Sequence, residues 1–212
     1  MTRSRSLLTL QFILLGIGMG CIGYVSGVYL GSKWVHWRYG RVMLSYADPS
    51  SPLAPGAAGA AKAALDPGDL VGRLRIDRIG LTAIVLEGAD RGTLRLSAGH
   101  LPESPLPGDA GRVALAGHRD GSFRPLKDLR PGDQIVLETS WGDYHYGVDS
   151  LRIVEPTDVG VLSSSGKREL LLLTCYPFSY LGRAPRRFAV LATQMDLPAM
   201  APEAPIMSSI SR

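Results

Sequence analysis

Seven or eight short strands forming a small all-β barrel or sandwich, carried behind one N-terminal membrane-spanning helix, are what these 212 residues predict. Three observations lead there. Between residues 69 and 195, apolar or alternating segments five to twelve residues long are separated by turn chemistry of the Pro-Gly-Asp type. Ahead of them lies an uncharged stretch of 24 residues. The segments on either side of the strand-rich part are too poor in large apolar residues to bury a core of their own. A chain of this length with 45% hydrophobic residues holds one compact domain plus attachments.

The N-terminal stretch, residues 7–30 (LLTLQFILLGIGMGCIGYVSGVYL), is about 36 Å long as a helix, enough to cross a bilayer. A secretory signal has a shorter apolar core followed closely by a small-residue cleavage site. The Ala-rich residues near 57–64 lie too far downstream for that, so a retained anchor is expected. Charge does not orient it, because Arg3 and Arg5 are balanced by Lys33, Arg38 and Arg41 beyond the apolar run. Residues 31–68 divide into a juxtamembrane piece and a spacer. Trp34, Trp37 and Tyr39, with His36 among them, have the amphipathic character of interfacial side chains. The Ala, Pro, Gly and Ser of residues 47–68 form a linker that lifts a domain off the membrane. The tail, residues 196–212, has the same composition and is expected to be disordered.

Within the domain, residues 69–195, strand patterns run over Val71 to Ile76, Leu81 to Leu86, Arg112 to Ala116, Gln134 to Thr139, Tyr144 to Glu155, Glu169 to Thr174 and Phe188 to Thr193. Asp66-Pro67-Gly68-Asp69, Leu106-Pro107-Gly108-Asp109 and Arg130-Pro131-Gly132-Asp133 are the turns. Ser122 to Leu129 is the one convincing helical turn, and there is no internal repeat. The formal charge of +4 suggests nucleic acid only until it is located. Five cations precede the first acid, Asp48, and the remaining 18 Lys and Arg against 19 Asp and Glu leave residues 42–212 at −1. No basic stripe argues for nucleic acid.

Two cysteines, Cys21 in the apolar run and Cys175 in the domain, make no disulfide framework. Cys21 reads as a lipid-facing or helix-packing residue. Cys175 ends the apolar strand Leu170-Leu171-Leu172-Leu173-Thr174 and precedes Tyr176-Pro177. Taken alone it is either core filler or a nucleophile, since free cysteine is a commonly buried residue that needs a nearby base or cation to react. His118 is the most suggestive partner, because Val113-Ala114-Leu115-Ala116-Gly117 is a second apolar strand that ends at a reactive side chain. His100, in a loop ahead of Pro102, and His145, between two tyrosines on a strand, read as structural residues. Acyl transfer also needs positive charge where an oxyanion develops, and Arg183, Arg186 and Arg187 all follow the cysteine. Arg187, at the head of the strand Phe188-Ala189-Val190-Leu191, stands where a neighbouring strand would bring it beside Cys175.

Ala116-Gly117-His118-Arg119-Asp120, Leu173-Thr174-Cys175-Tyr176-Pro177-Phe178 and Ala184-Pro185-Arg186-Arg187-Phe188, in this order, resemble the sortase family, and residues 69–193 look like a class D type sortase. Gly99-His100-Leu101-Pro102 and Phe123-Arg124-Pro125-Leu126 add to the likeness. The resemblance implies an eight-stranded sortase-type β-barrel with short helices. It implies residues 1–6 in the cytoplasm, a single-pass anchor and an extracytoplasmic catalytic domain at the cell membrane. By the same resemblance Cys175 is the nucleophile, His118 the general acid/base, and Arg187, with Arg186 as its rival, the oxyanion-stabilising arginine, whereas His100 is not catalytic.

The implied function is that of a cysteine transpeptidase. It cleaves a C-terminal sorting signal resembling Leu-Pro-X-Thr-Gly or Leu-Pro-X-Thr-Ala through a thioester and transfers the surface protein to an amine acceptor such as a cell-wall peptide. Nothing resembles a calcium-binding cluster, so neither metal nor cofactor is expected. Two other readings remain at this stage: a cysteine protease that only hydrolyses the thioester, and a non-catalytic, membrane-tethered β-domain that binds surface proteins.

Overall fold

Four leucines in succession, Leu170 to Leu173, make sense only in a strand covered on both faces. In the computed structural model, which describes residues 2–46, 65–180 and 182–195, they occupy the middle of such a strand. The expected linker residues 47–64 and the tail 196–212 lie outside the described residues.

Eight strands form the domain: β1 (Leu70–Ile76), β2 (Leu81–Glu87), β3 (Ala98–His100), β4 (Gly111–Ala116), β5 (Gln134–Thr139), β6 (Gly142–Val154), β7 (Arg168–Tyr176) and β8 (Arg186–Gln194). They close into a barrel in the order β1-β2-β3-β4-β7-β8-β6-β5. Closure leaves no free sheet edge. Most pairs are antiparallel, while β2 with β3 and β4 with β7 are parallel.

Alternation decides what fills the barrel. Leu74 and Ile76 of β1, Ile135 and Leu137 of β5, Leu170 and Leu172 of β7 and Val190 of β8 are fully buried inside it. Their neighbours Leu171, Leu173, Ala189 and Leu191 point outward, where Leu101, Val154 and Val161 cover them as a second apolar layer. Leu101 follows β3 and Val154 ends β6, while Val161 belongs to the β6–β7 connection, in a 3₁₀ turn at Val159–Leu162. Truncating one of the buried leucines to alanine costs about 2–5 kcal/mol.

The seven strand patterns read from the sequence all fall on strands. The eighth, β3, was expected to be loop around His100. It is three residues long, too short for any periodicity, and exists because β2 and β4 supply its hydrogen bonds on either side. A short helix, α2 (Arg91–Leu96), also escaped the sequence pattern. Asp90 caps it, accepting from the backbone N–H of Gly92 at 2.7 Å and of Thr93 at 3.2 Å. The helical turn expected at 122–129 is a 3₁₀ helix, Arg124–Asp128, started by Pro125.

Before the barrel, α1 runs from Thr2 to Tyr46 without a break. Residues Leu10–Gly31 within it have a mean hydropathy of 1.8, and none of that stretch is buried against protein. It is long and apolar enough to cross a membrane.

Candidate active site

The parallel pairing of β4 with β7 brings the two suggestive strand ends together. Ala116 lies beside Leu173 in the ladder, and the next backbone N–H, Gly117, donates to the Leu173 carbonyl at 3.1 Å. Thr174, buried on the inner side, donates its hydroxyl to the Gly117 carbonyl at 2.7 Å. His118 and Cys175 therefore stand just past the end of the β4–β7 ladder, each one step beyond a fixed backbone.

His118 is held by the turn that follows it. Its carbonyl accepts from the Gly121 N–H at 3.1 Å and from the Phe123 N–H at 3.2 Å. Phe123 is fully buried, and its ring lies so close to Gly117 that a Cβ there would come within 2.6 Å of it. Glycine before the histidine is thus a steric requirement. The His118 side chain is exposed and Cys175 is half-buried.

Antiparallel pairing with β8 settles which arginine faces the thiol. Cys175 is directly opposite Arg187, and Tyr176 is opposite Arg186. Opposite residues share a face of the sheet, so Arg187 stands with Cys175 on the outer face. Arg186 lies on the other face, its guanidinium carbon 5.9 Å from the centre of the Tyr176 ring. Beneath it, Tyr176, Phe178 and Phe188 pack as an aromatic cluster, with centroids 5.2–6.3 Å apart, at this end of the barrel.

Two hollows meet at this point. The larger, about 330 Å³, has apolar walls that include Leu94, Leu101, Val161 and Leu173, with Glu155 and Asp158 also lining it. A second hollow of about 250 Å³ is polar, lined by Arg119, Asp120, Gly182, Arg183 and Ala184. His118, Cys175 and Arg187 line both. A thiol, an imidazole and a guanidinium around one space are the groups that nucleophilic acyl transfer requires.

The other sequence candidates fall elsewhere. His100 is buried in β3, its Nδ1 2.8 Å from Glu87 Oε2 and its Nε2 3.0 Å from Ser104 Oγ. His145 sits on β6 opposite Val136 and lines neither hollow. Arg183 reaches only the second hollow. Among the described residues no three His, Cys, Asp or Glu side chains converge as a metal would require.

Arg119 was missed by sequence reasoning, because an Arg-Asp pair after a turn looks like surface charge. It is in fact 6% exposed. Its Nη1 donates to the Pro177 carbonyl and its Nη2 to the Gly182 carbonyl, each at 2.9 Å, while Nε reaches Asp120 Oδ2 at 3.3 Å. No local pattern in the sequence signals such a contact.

Known proteins share this fold. A family model for the sortase domain matches residues 74–195. Sortase D of Bacillus subtilis (strain 168) is 38% identical over 124 residues, which are 58% of this chain and 63% of that protein. The match thus spans less than two thirds of that relative's length. Among solved structures, a Clostridium perfringens Sortase D5 transpeptidase superposes with a TM-score of 0.61 at 23% identity, covering 67% of this chain and 89% of that one, a likeness of fold. A Clostridium perfringens sortase C with the C-terminal cell wall sorting motif gives a TM-score of 0.57 at 27% identity, covering 63% of this chain and 74% of that one. With its eight-stranded closed barrel and a match across more than half its length, the chain belongs to the sortase family.

Proposed function

We propose that the protein is a membrane-anchored cysteine transpeptidase that cleaves an LPXTG- or LPXTA-like C-terminal sorting signal and transfers the freed protein to an amine at the cell surface. The observation that carries this reading is the convergence of His118, Cys175 and Arg187 at the junction of two hollows. The apolar hollow suits the Leu-Pro part of such a signal, leaving the Thr carbonyl at the thiol.

In the first half-reaction the Cys175 Sγ, as thiolate, attacks the threonine carbonyl carbon. The carbonyl oxygen becomes an oxyanion, which the Arg187 guanidinium stabilises. Collapse breaks the C–N bond, and protonated His118 gives its proton to the leaving amine. A thioester remains. In the second half, neutral His118 takes a proton from the acceptor amine as its nitrogen attacks the thioester, a new C–N bond forms, and the Cys175 thiolate leaves.

Helix α1 would serve as the anchor, with residues 1–6 in the cytoplasm and the barrel outside. An apolar stretch of which no part is buried, with exposed Trp34 and Trp37 beyond it, supports a lipid environment.

The test uses the full chain in detergent micelles. Incubation with a peptide carrying the sorting signal should give a covalent adduct on Cys175, and Cys175→Ala should abolish both adduct and turnover without lowering Tm. Adding an amine acceptor should replace hydrolysis with a ligated product. Continued hydrolysis alone would point to a protease, and no adduct across several signal variants, with the thiol freely alkylated, would leave only a binding module.

A further inference from the structure

The β7–β8 connection, which starts two residues after Cys175 and ends just before Arg186, is fastened to the histidine loop by one side chain. Arg119 follows His118 directly, yet its guanidinium is buried and turned away from the polar surface it would ordinarily seek. It spends its donors on two backbone carbonyls, Pro177 at the beginning of the connection and Gly182 on its far arm. Tyr180, between them in sequence, places its ring centre 5.9 Å from the same guanidinium. A buried cation needs charge-assisted hydrogen bonds to offset its lost hydration, and the nearest carboxylate, Asp120, has a side chain 67% exposed. The two carbonyls are therefore its principal partners.

What the connection touches tells what it is fastened for. Gly182, Arg183 and Ala184 line the polar hollow, whereas no described residue between Tyr176 and Arg186 lines the apolar one. Leu173 and Thr174 line only the apolar hollow. Loosening the connection thus alters one side of Cys175 and spares the other. If the acyl part of the signal takes the apolar side, the leaving amine departs through the polar one. Microscopic reversibility requires the entering amine to approach the thioester along that same side, within reach of His118.

We propose that Arg119 is a positioning residue for the second half-reaction: its clamp on Pro177 and Gly182 shapes the hollow through which the acceptor amine reaches the Cys175 thioester. This rests on the transpeptidase reading above. Arginine fits the task because its planar fork reaches two acceptors at once, whereas a lysine ammonium is a single point.

Arg119→Gln and Arg119→Lys test it, with thioester formation and its partition between aminolysis and hydrolysis measured separately on the full chain. Both variants should form the thioester within about threefold of the wild-type rate, because the leaving amine is tethered to an acyl part already seated in the untouched apolar hollow, whereas the acceptor amine is held by the polar hollow alone. Both should show an aminolysis-to-hydrolysis ratio lowered about tenfold or more, with a raised KM for the acceptor, since small misplacements of a reacting group are costly. Tyr180→Ala, at a residue 46% exposed and outside the core, should shift the ratio the same way by less. An unchanged ratio, equal losses in both half-reactions, or full rescue by lysine would overturn the clamp. Absence of any wild-type thioester would instead sink the transpeptidase reading itself.

Discussion

The β4–β7 ladder has two ends that behave oppositely. At its start, Arg112 and Glu169 are paired in the ladder, and the guanidinium Nε donates to Glu169 Oε2 at 2.9 Å. The Ser165 hydroxyl donates to the other carboxylate oxygen at 2.7 Å, and Arg112 also reaches the Val161 carbonyl. At its far end the backbones of Gly117 and Thr174 are equally well tied, but the side chains that follow are not. Among the described residues, neither the His118 ring nor the Cys175 thiol has a hydrogen-bonding protein partner. One end satisfies its charges and holds the fold; the other presents unpartnered side chains on a rigid backbone, as the proposed transpeptidase requires. The same pair of strands thus carries a charge-paired anchor at one end and the candidate site at the other.

The strongest way to break the reactive end, short of removing the thiol, is Arg187→Ala. Turnover should fall by about 10²–10³-fold with thioester formation as the affected step. Arg186→Ala, on the opposite face, should leave turnover within a few-fold, and the reverse ranking would show that facing the thiol is not what matters. Gly117→Ala strikes the support beneath His118. A methyl 2.6 Å from the Phe123 ring should lower stability by about 1–3 kcal/mol and reduce turnover further than the fraction folded explains.

At the structural end the effects reverse. Glu169→Gln removes the charge from a pair whose side chains are 11% and 13% exposed, and should lower stability by about 1–3 kcal/mol while kcat/KM stays near wild type. The smallest effect is its pH dependence. Burial alone would push the Glu169 carboxyl up, but hydrogen bonds from Ser165 and Arg112 outweigh it and hold the group below the usual carboxylate range. A depressed pKa contributes stability above the unfolded value that is lost as pH falls through the folded one. Thermal melts should therefore show an acid limb that is shallower in Glu169→Gln; identical limbs would mean the pair contributes nothing.

Much of this was legible beforehand where the signal is local. Gln134 to Thr139 alternates and bounds itself with a Pro-Gly-Asp turn, and β5 occupies those residues. That His118 and Cys175 come together was legible because two apolar runs stop at Gly117-His118 and Thr174-Cys175. β3 was not, since three residues carry no period, and neither was the His100–Glu87 pair, whose partners are 13 residues apart across a crossover. Arg119 is the clearest loss. Its neighbours in sequence suggest solvent, and its burial depends on carbonyls 58 and 63 residues away.

Residue types and their two-residue period were enough to set strand positions, the apolar helix and the identity of the thiol and imidazole. They favoured Arg187 but left Arg186, a single step away, as its rival. That choice belongs to the register of β8 against β7, where a one-residue slip sends every side chain to the other face of the sheet. Register comes from packing the whole barrel around its core, so only the closed fold places Arg187, and not Arg186, opposite Cys175.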